Sequence, residues 1–138
     1  MKKIVRYGAY GIVIKEGKIL LSLKKTGPYK DFWDLPGGKI EFGETPEETL
    51  KRELLEEVAI CGNNFQLLFV GNNIAEYKEQ KGKYKFHHLG IVYKVKEFLR
   101  LSNLICEETN SWFLLNEMPE KLTPFAKQFY ENKYLSNS

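Results

Sequence analysis

Cysteine is scarce in this chain. Cys61 and Cys106 are the only two, and neither belongs to a Cys-x-x-Cys pair. That pattern excludes a disulfide-stapled scaffold and a thiolate zinc site, and the expectation is two buried thiols in a reducing compartment. Long apolar runs are missing as well. No stretch approaches the ~20 consecutive apolar residues that cross a bilayer, so no membrane partner is expected. The opening segment MKKIVRYGAYGIVIKEG is interrupted by Arg6, Lys15 and Glu16, and no small-residue cleavage site follows. It reads as a strand and not as a signal peptide, which makes the cytoplasm the expected location. Charge of one sign is in little excess, with 21 Lys and Arg against 18 Asp and Glu, a net +3. Such a balance is compatible with an anionic small molecule. With no recognition motif beside it, nucleic acid is not expected as a partner. Repeats, low-complexity tracts and linkers are absent, so residues 1–138 are expected to form a single domain with its own core.

The chain has abundant β-forming segments and two well-marked helices. Tyr7–Ile14 and Lys18–Leu23 are apolar and β-rich, and Glu16-Gly17 between them suggests a hairpin. Gly27-Pro28 opens an irregular stretch that runs to Gly37-Gly38. Thr45, Pro46 and Glu48 spell an N-cap, a first-turn proline and a capping box. Leu50, Leu54 and Val58 then supply a buried stripe at four-residue spacing. Phe65–Tyr77 and Lys83–Val95 read as long strands about a polar turn. Glu97–Asn110 reads as a loop and Ser111–Leu115 as a short strand. Thr123-Pro124 starts a last helix running to about Asn132, after which only the final few residues are expected to be disordered. In the second long strand Lys81, Lys83 and Lys85 alternate with Tyr84 and Phe86, which suits a solvated face or a guarded edge. His87 and His88 are adjacent on that strand, so they point to opposite faces and cannot chelate one metal together. The order β-β-α-β-β-β-α predicts an α/β fold, a mixed sheet covered on both faces.

One segment breaks local rules. Between Gly38 and Ile60, Glu53, Glu56 and Glu57 stand on one side of a helical turn. Like charges at such spacings cost roughly 0.2–0.5 kcal/mol per pair, and two of them sit at the helix C-terminus, where the macrodipole disfavours them. Violations of local preference concentrate at functional sites. A divalent cation is the simplest agent that reverses the repulsion.

The pattern Gly38, five residues, Glu44, seven residues, then Arg52-Glu53-Leu54-Leu55-Glu56-Glu57-Val58-Ala59-Ile60 resembles the Nudix box of MutT-like hydrolases. Trp33-Asp34-Leu35-Pro36-Gly37-Gly38 is similar to the family's usual lead-in. Trp112 with Asn116-Glu117-Met118-Pro119 is similar to a late-strand signature. One position departs: the family has glycine where this chain has Ala59, at the helix exit, and the effect of that change is not readable from the sequence. The resemblance implies the Nudix fold, an α/β/α sandwich, and Mg²⁺-dependent hydrolysis (Mn²⁺ as the alternative) of a nucleoside diphosphate linked to another group. It implies Glu56 and Glu57 as the core metal ligands, Glu53 as a third ligand or a base, and the Gly38 carbonyl as a further ligand. Arg52 would orient the glutamates, or else be a plain helical ion pair to Glu56. Glu44 is expected to support the loop in preference to binding metal. Glu53, Glu107 and Glu108 remain candidates for the general base. Glu108, four residues before Trp112, stands where relatives are often acidic, although both late glutamates could equally be ordinary loop residues. A nucleotide-sensing binding protein on the same fold is the alternative function. Such proteins usually lose box glutamates or carry a DNA-binding domain, and this chain keeps Glu53, Glu56 and Glu57. Substrate identity and oligomeric state are not readable from the sequence.

Overall fold

Ten regular elements appear in the computed structural model, which describes residues 1–101 and 109–132. In chain order they are β1 (Lys2–Ile12), β2 (Ile14–Lys15), β3 (Lys18–Leu23), β4 (Trp33–Asp34), β5 (Gly37–Lys39), α1 (Pro46–Val58), β6 (Ile60–Glu79), β7 (Gly82–Arg100), β8 (Asn110–Leu114) and α2 (Pro124–Glu131). They form two sheets. The larger runs β5-β1-β7-β6 and is mixed, since β1 is parallel to β7 while the β1–β5 and β6–β7 pairs are antiparallel. In the smaller sheet β3 pairs with β2, β4 and β8, each antiparallel.

Strand alternation assigns the two cores. Ala9, Tyr93 and Val95 pack with Leu50, Leu54 and Val58 of α1. Their neighbours Tyr10, Ile12 and Val92 pack with Phe125, Ala126 and Phe129 of α2. The helices therefore cover opposite faces, which is the expected α/β/α sandwich. The α1 stripe is wholly buried, and each such leucine or valine contributes about 1.5–3 kcal/mol.

The expected loop Glu97–Asn110 is shorter than read, because β7 runs on to Arg100 and β8 begins at Asn110, and three further local points stand out. First, Tyr7–Ile14 does not simply fold back on Lys18–Leu23. The chain changes sheets at Val13, so only Ile14 and Lys15 pair with β3, while β1 pairs with β5 and β7. Second, Cys61 is exposed and free. It follows α1 on β6 between buried Ile60 and buried Gly62, so alternation turns its side chain outward; Cys106 and the terminal residues expected to be disordered lie outside the described residues. Third, Ala59 makes the left-handed helix exit that favours glycine. It adopts the left-handed conformation a glycine would take (φ 55°, ψ 42°), and its N–H reaches the Leu54 and Leu55 carbonyls. Holding a Cβ there costs roughly 1–2 kcal/mol. No helix among the described residues is long and apolar enough to cross a membrane.

Candidate active site

The helix that carries the clustered glutamates is anchored from its first residue. Thr45 Oγ1 accepts from the Glu48 N–H at 3.2 Å, and the Glu48 carboxylate accepts from the Thr45 N–H at 3.0 Å. With Leu50, Leu54 and Val58 fixed in the core, α1 has no rotational freedom. Arg52, Glu53 and Glu57 are thereby aimed at the sheet edge where β5 ends.

Arg52 is the hub of this cluster. Its Nε and Nη2 donate to the two oxygens of Glu44 at 2.8 and 2.9 Å. Nη1 donates to Glu53 Oε1 at 2.9 Å and to Glu56 Oε2 at 3.2 Å. The helical pair to Glu56 is therefore the longest of its carboxylate contacts, and the fork to Glu44 is the strong one. Glu44 also accepts from the Glu41 N–H and from Thr49 Oγ1. The Arg52 guanidinium holds the Glu44 carboxyl down at about 2. Glu44 thus ties the loop to the helix, the role expected for it.

Glu53 lies against Gly38. A Cβ at that position would come within 2.6 Å of the Glu53 carboxyl carbon, so only glycine leaves the carboxylate its place. At Gly37 (φ 146°) a Cβ would meet the Ala9 carbonyl oxygen at 2.1 Å. Gly38, Glu53 and Glu57 line one hollow of about 290 Å³, with Lys24, Lys25 and Lys39 on its walls. Burial pushes the Glu57 carboxyl up to about 8, and the charges of Asp34 and Glu53 add to the effect. Glu56 does not line this hollow, because its exposed side chain is turned to Arg52. Among the described residues no three acidic, histidine or cysteine side chains converge on one point. Glu107 and Glu108 lie outside the described residues.

The donors present are all oxygens, the glycine cradle leaves them open, and Glu57 is held back from ionising by burial first and then by the negative charge of Asp34 and Glu53. That combination fits a hard divalent cation of the magnesium or manganese type.

A second hollow, of about 230 Å³, adjoins the first and shares Arg6, Tyr10, Lys24 and Asp34 with it. Its walls include Tyr29, Asn73, Phe86, His88 and Phe125. Asp34 Oδ1 accepts from the Leu35 N–H at 2.8 Å and from Thr123 Oγ1 at 2.6 Å, and burial raises its carboxyl. Tyr10 Oη and His88 Nε2 share a 2.7 Å hydrogen bond. Burial lifts the Tyr10 phenol, and burial with the Arg6 and Lys24 charges lowers His88 to about 4, so both are neutral near pH 7. His87 points to the other face and bonds Asn72, as strand alternation requires.

Sequence reasoning did not single out Asp34, Tyr10 or Thr123 as site residues. For Asp34 a signal existed, a lone carboxylate inside the apolar run Phe32-Trp33-Asp34-Leu35-Pro36. Thr123 was legible only as a helix cap, yet its side chain makes no cap bond because the hydroxyl is taken by Asp34.

The model of the NUDIX domain matches residues 5–133. An ADP-ribose pyrophosphatase from Methanocaldococcus jannaschii is 48% identical over 60 residues, 44% of this chain and 36% of that protein. An 8-oxo-dGTP diphosphatase from Haemophilus influenzae is 44% identical over 68 residues, 48% of this chain and 49% of that one. An RNA pyrophosphohydrolase from Aliivibrio fischeri is 30% identical over 112 residues, 80% of this chain and 64% of that protein. The chain thus spans between about a third and two thirds of the length of these relatives. Among solved structures, a MutT NUDIX hydrolase from Burkholderia pseudomallei superposes with a TM-score of 0.77 at 27% identity, covering 94% of this chain and 98% of that one.

Proposed function

We infer, because this chain belongs to the NUDIX domain family, that its cleft hydrolyses a diphosphate bond in a nucleoside triphosphate or another nucleotide derivative. The observation that carries this reading is the junction of two unlike hollows. One is acidic at its floor and basic on its walls, the other is aromatic, and they share Asp34, Tyr10, Arg6 and Lys24. A nucleotide has the matching asymmetry. Its phosphates suit the lysines beside Glu53 and Glu57, and its base suits Tyr29, Phe125 and Asn73.

Gly38, Glu53 and Glu57, with Glu56 swinging from Arg52, would hold magnesium, or manganese in its place. When bound, the ion screens the phosphate charge and acidifies a water. Arg52 positions Glu53 and Glu56 and, through Glu44, fixes the loop that carries Gly38 and Lys39. Lys24, Lys25 and Lys39 orient the phosphates. A carboxylate near the attacked phosphorus accepts the proton of the incoming water; Glu53, Glu107 and Glu108 are the candidates for this role. The names of the relatives support pyrophosphate chemistry and differ in substrate.

The test is turnover of a nucleotide panel with Mg²⁺, comparing wild type with Glu57→Gln. The reading expects cleavage of a diphosphate bond that the variant loses. Tight nucleotide binding without hydrolysis in any member of the panel would favour a sensor instead.

A further inference from the structure

The face of the larger sheet that α1 covers is longer than α1. Ala9, Tyr93 and Val95 lie under the helix stripe, and beyond them the same face continues along β1, β7 and β6 and turns to solvent. Register fixes what stands there. Tyr7 is level with Leu89 and Asn72, and Val5 with His87 and Ile74. Nearer the helix, Ile91 is level with Val70 and Tyr93 with Leu67. Register partners share a face and alternate residues repeat it, so these rows form one surface. Val5, Tyr7, Leu67, Val70 and Ile74 are each between 53% and 59% exposed. Large apolar side chains gathered in this way mark an interaction site, unlike apolar residues scattered singly. His87 and Asn72, the polar pair at its centre, hydrogen-bond each other, so covering them strands neither.

The two ends of this face carry opposite charge. Away from α1, Lys3, Lys78, Lys83 and Lys85 stand against Glu76 alone. At the other end is the first turn of α1 with Glu47 and Glu48. Burial and then the Glu47 charge raise the Tyr93 phenol, which puts Glu47 at the border of the face. We propose that this face is a two-fold interface with a second copy of the chain, the strands of the two sheets running in opposite directions. A surface basic at one end and acidic at the other complements itself only when turned end for end. With the axis at the Tyr7–Leu89–Asn72 row, Val5 and Ile74 of one copy come over Ile91 and Val70 of the other, and Lys85 comes to the border that Glu47 holds. Packed sheets lie ~10 Å apart, about the thickness of a helix, so α1 abuts the hairpin end of the other copy instead of holding the sheets apart. Three strands at ~4.8 Å and eight residues at ~3.4 Å make the apolar rows about 15 by 27 Å. With the charged ends included, two copies bury on the order of 1,000 Å² in total, the size at which specific interfaces begin. A membrane or a nucleic acid would call for positive charge at both ends.

The test is sedimentation equilibrium of the full chain over a concentration series, which should show a monomer–dimer equilibrium. Val70→Lys or Ile74→Lys, each placing a charge in the middle of the apolar rows, should weaken association by about 100-fold or more. Lys85→Glu and Glu47→Lys should each weaken it as well. The double variant, which restores the pairing with its signs exchanged, should recover most of that loss. All four positions are exposed in the single chain, so the variants should keep the circular dichroism of wild type. A wild type that stays monomeric at every concentration would overturn the proposal. So would a dimer that Val70→Lys and Ile74→Lys leave intact, or a double charge variant that associates no better than its singles.

Discussion

Thr123 Oγ1 donates to Asp34 Oδ1 at 2.6 Å, joining residues 89 apart in sequence. This bond fastens the first turn of α2 to the floor shared by the two hollows. It also takes the hydroxyl that would otherwise cap the helix.

Removing that donor leaves a half-buried carboxyl short of a partner, which costs about 1–3 kcal/mol. Thr123→Val should therefore lower the urea midpoint by a corresponding amount, while Thr123→Ser stays near wild type. A Thr123→Val midpoint equal to wild type would show that the bond contributes nothing to stability.

The state of Glu57 makes stability depend on pH. Its carboxyl titrates at about 8 in the fold against an ordinary 4.5. The folded value is the raised one, so the stability it contributes is fully present below pH 4.5 and is lost as pH rises through 8. Metal-free protein should accordingly show a melting temperature that falls from about pH 4.5 to about pH 8 and then levels off. Glu57→Gln should flatten that fall. Mg²⁺ needs the ionised carboxylate, so the rise in Tm on adding it should be larger at pH 8.5 than at pH 6. Melts in EDTA and in millimolar Mg²⁺ across this range check all three.

Arg52 works through its shape. Its planar fork reaches both oxygens of Glu44 while the third nitrogen holds Glu53. A lysine is a point charge and cannot span them. Arg52→Lys should reduce kcat by about 10–100-fold, the usual cost of losing a residue that orients a metal ligand. Steady-state kinetics with a hydrolysed nucleotide measures this, and a wild-type kcat would remove Arg52 from the positioning role.

Ala59 sits in the left-handed region at 1% exposure. Replacing it with glycine relieves roughly 1–2 kcal/mol of backbone strain. Against that stand about 0.5–1 kcal/mol of added chain entropy and ~0.8 kcal/mol for the lost buried methyl. These nearly cancel, so Ala59→Gly should stay within about 1 kcal/mol of wild type. Ala59→Val, which adds both a β-branch and volume, should destabilise by about 1–3 kcal/mol. Chemical denaturation of the two variants separates the cases.

What the sequence made legible was local. The box helix could be read because Thr45, Pro46 and Glu48 mark its start within four positions and Leu50, Leu54 and Val58 mark its buried side. The two-faced fold followed from the helix on each side of the long strands. Relationships made by tertiary contact were not legible. Tyr10 meets His88 only because β1 lies parallel to β7, and Asp34 meets Thr123 only because β4 lies beside the start of α2. Glu56 was grouped with Glu53 and Glu57 by helical spacing and by the resemblance of the box. A difference of three residues rather than four rotates it off the hollow and onto Arg52.

The central claim is tested most directly by following nucleotide hydrolysis by ³¹P NMR, with and without Mg²⁺, for wild type and Glu57→Gln. Wild type should cleave a diphosphate bond only with Mg²⁺ present, and the variant, still folded, should lose most turnover, about 100-fold or more. Metal-independent cleavage, or a Glu57→Gln protein as active as wild type, would contradict it.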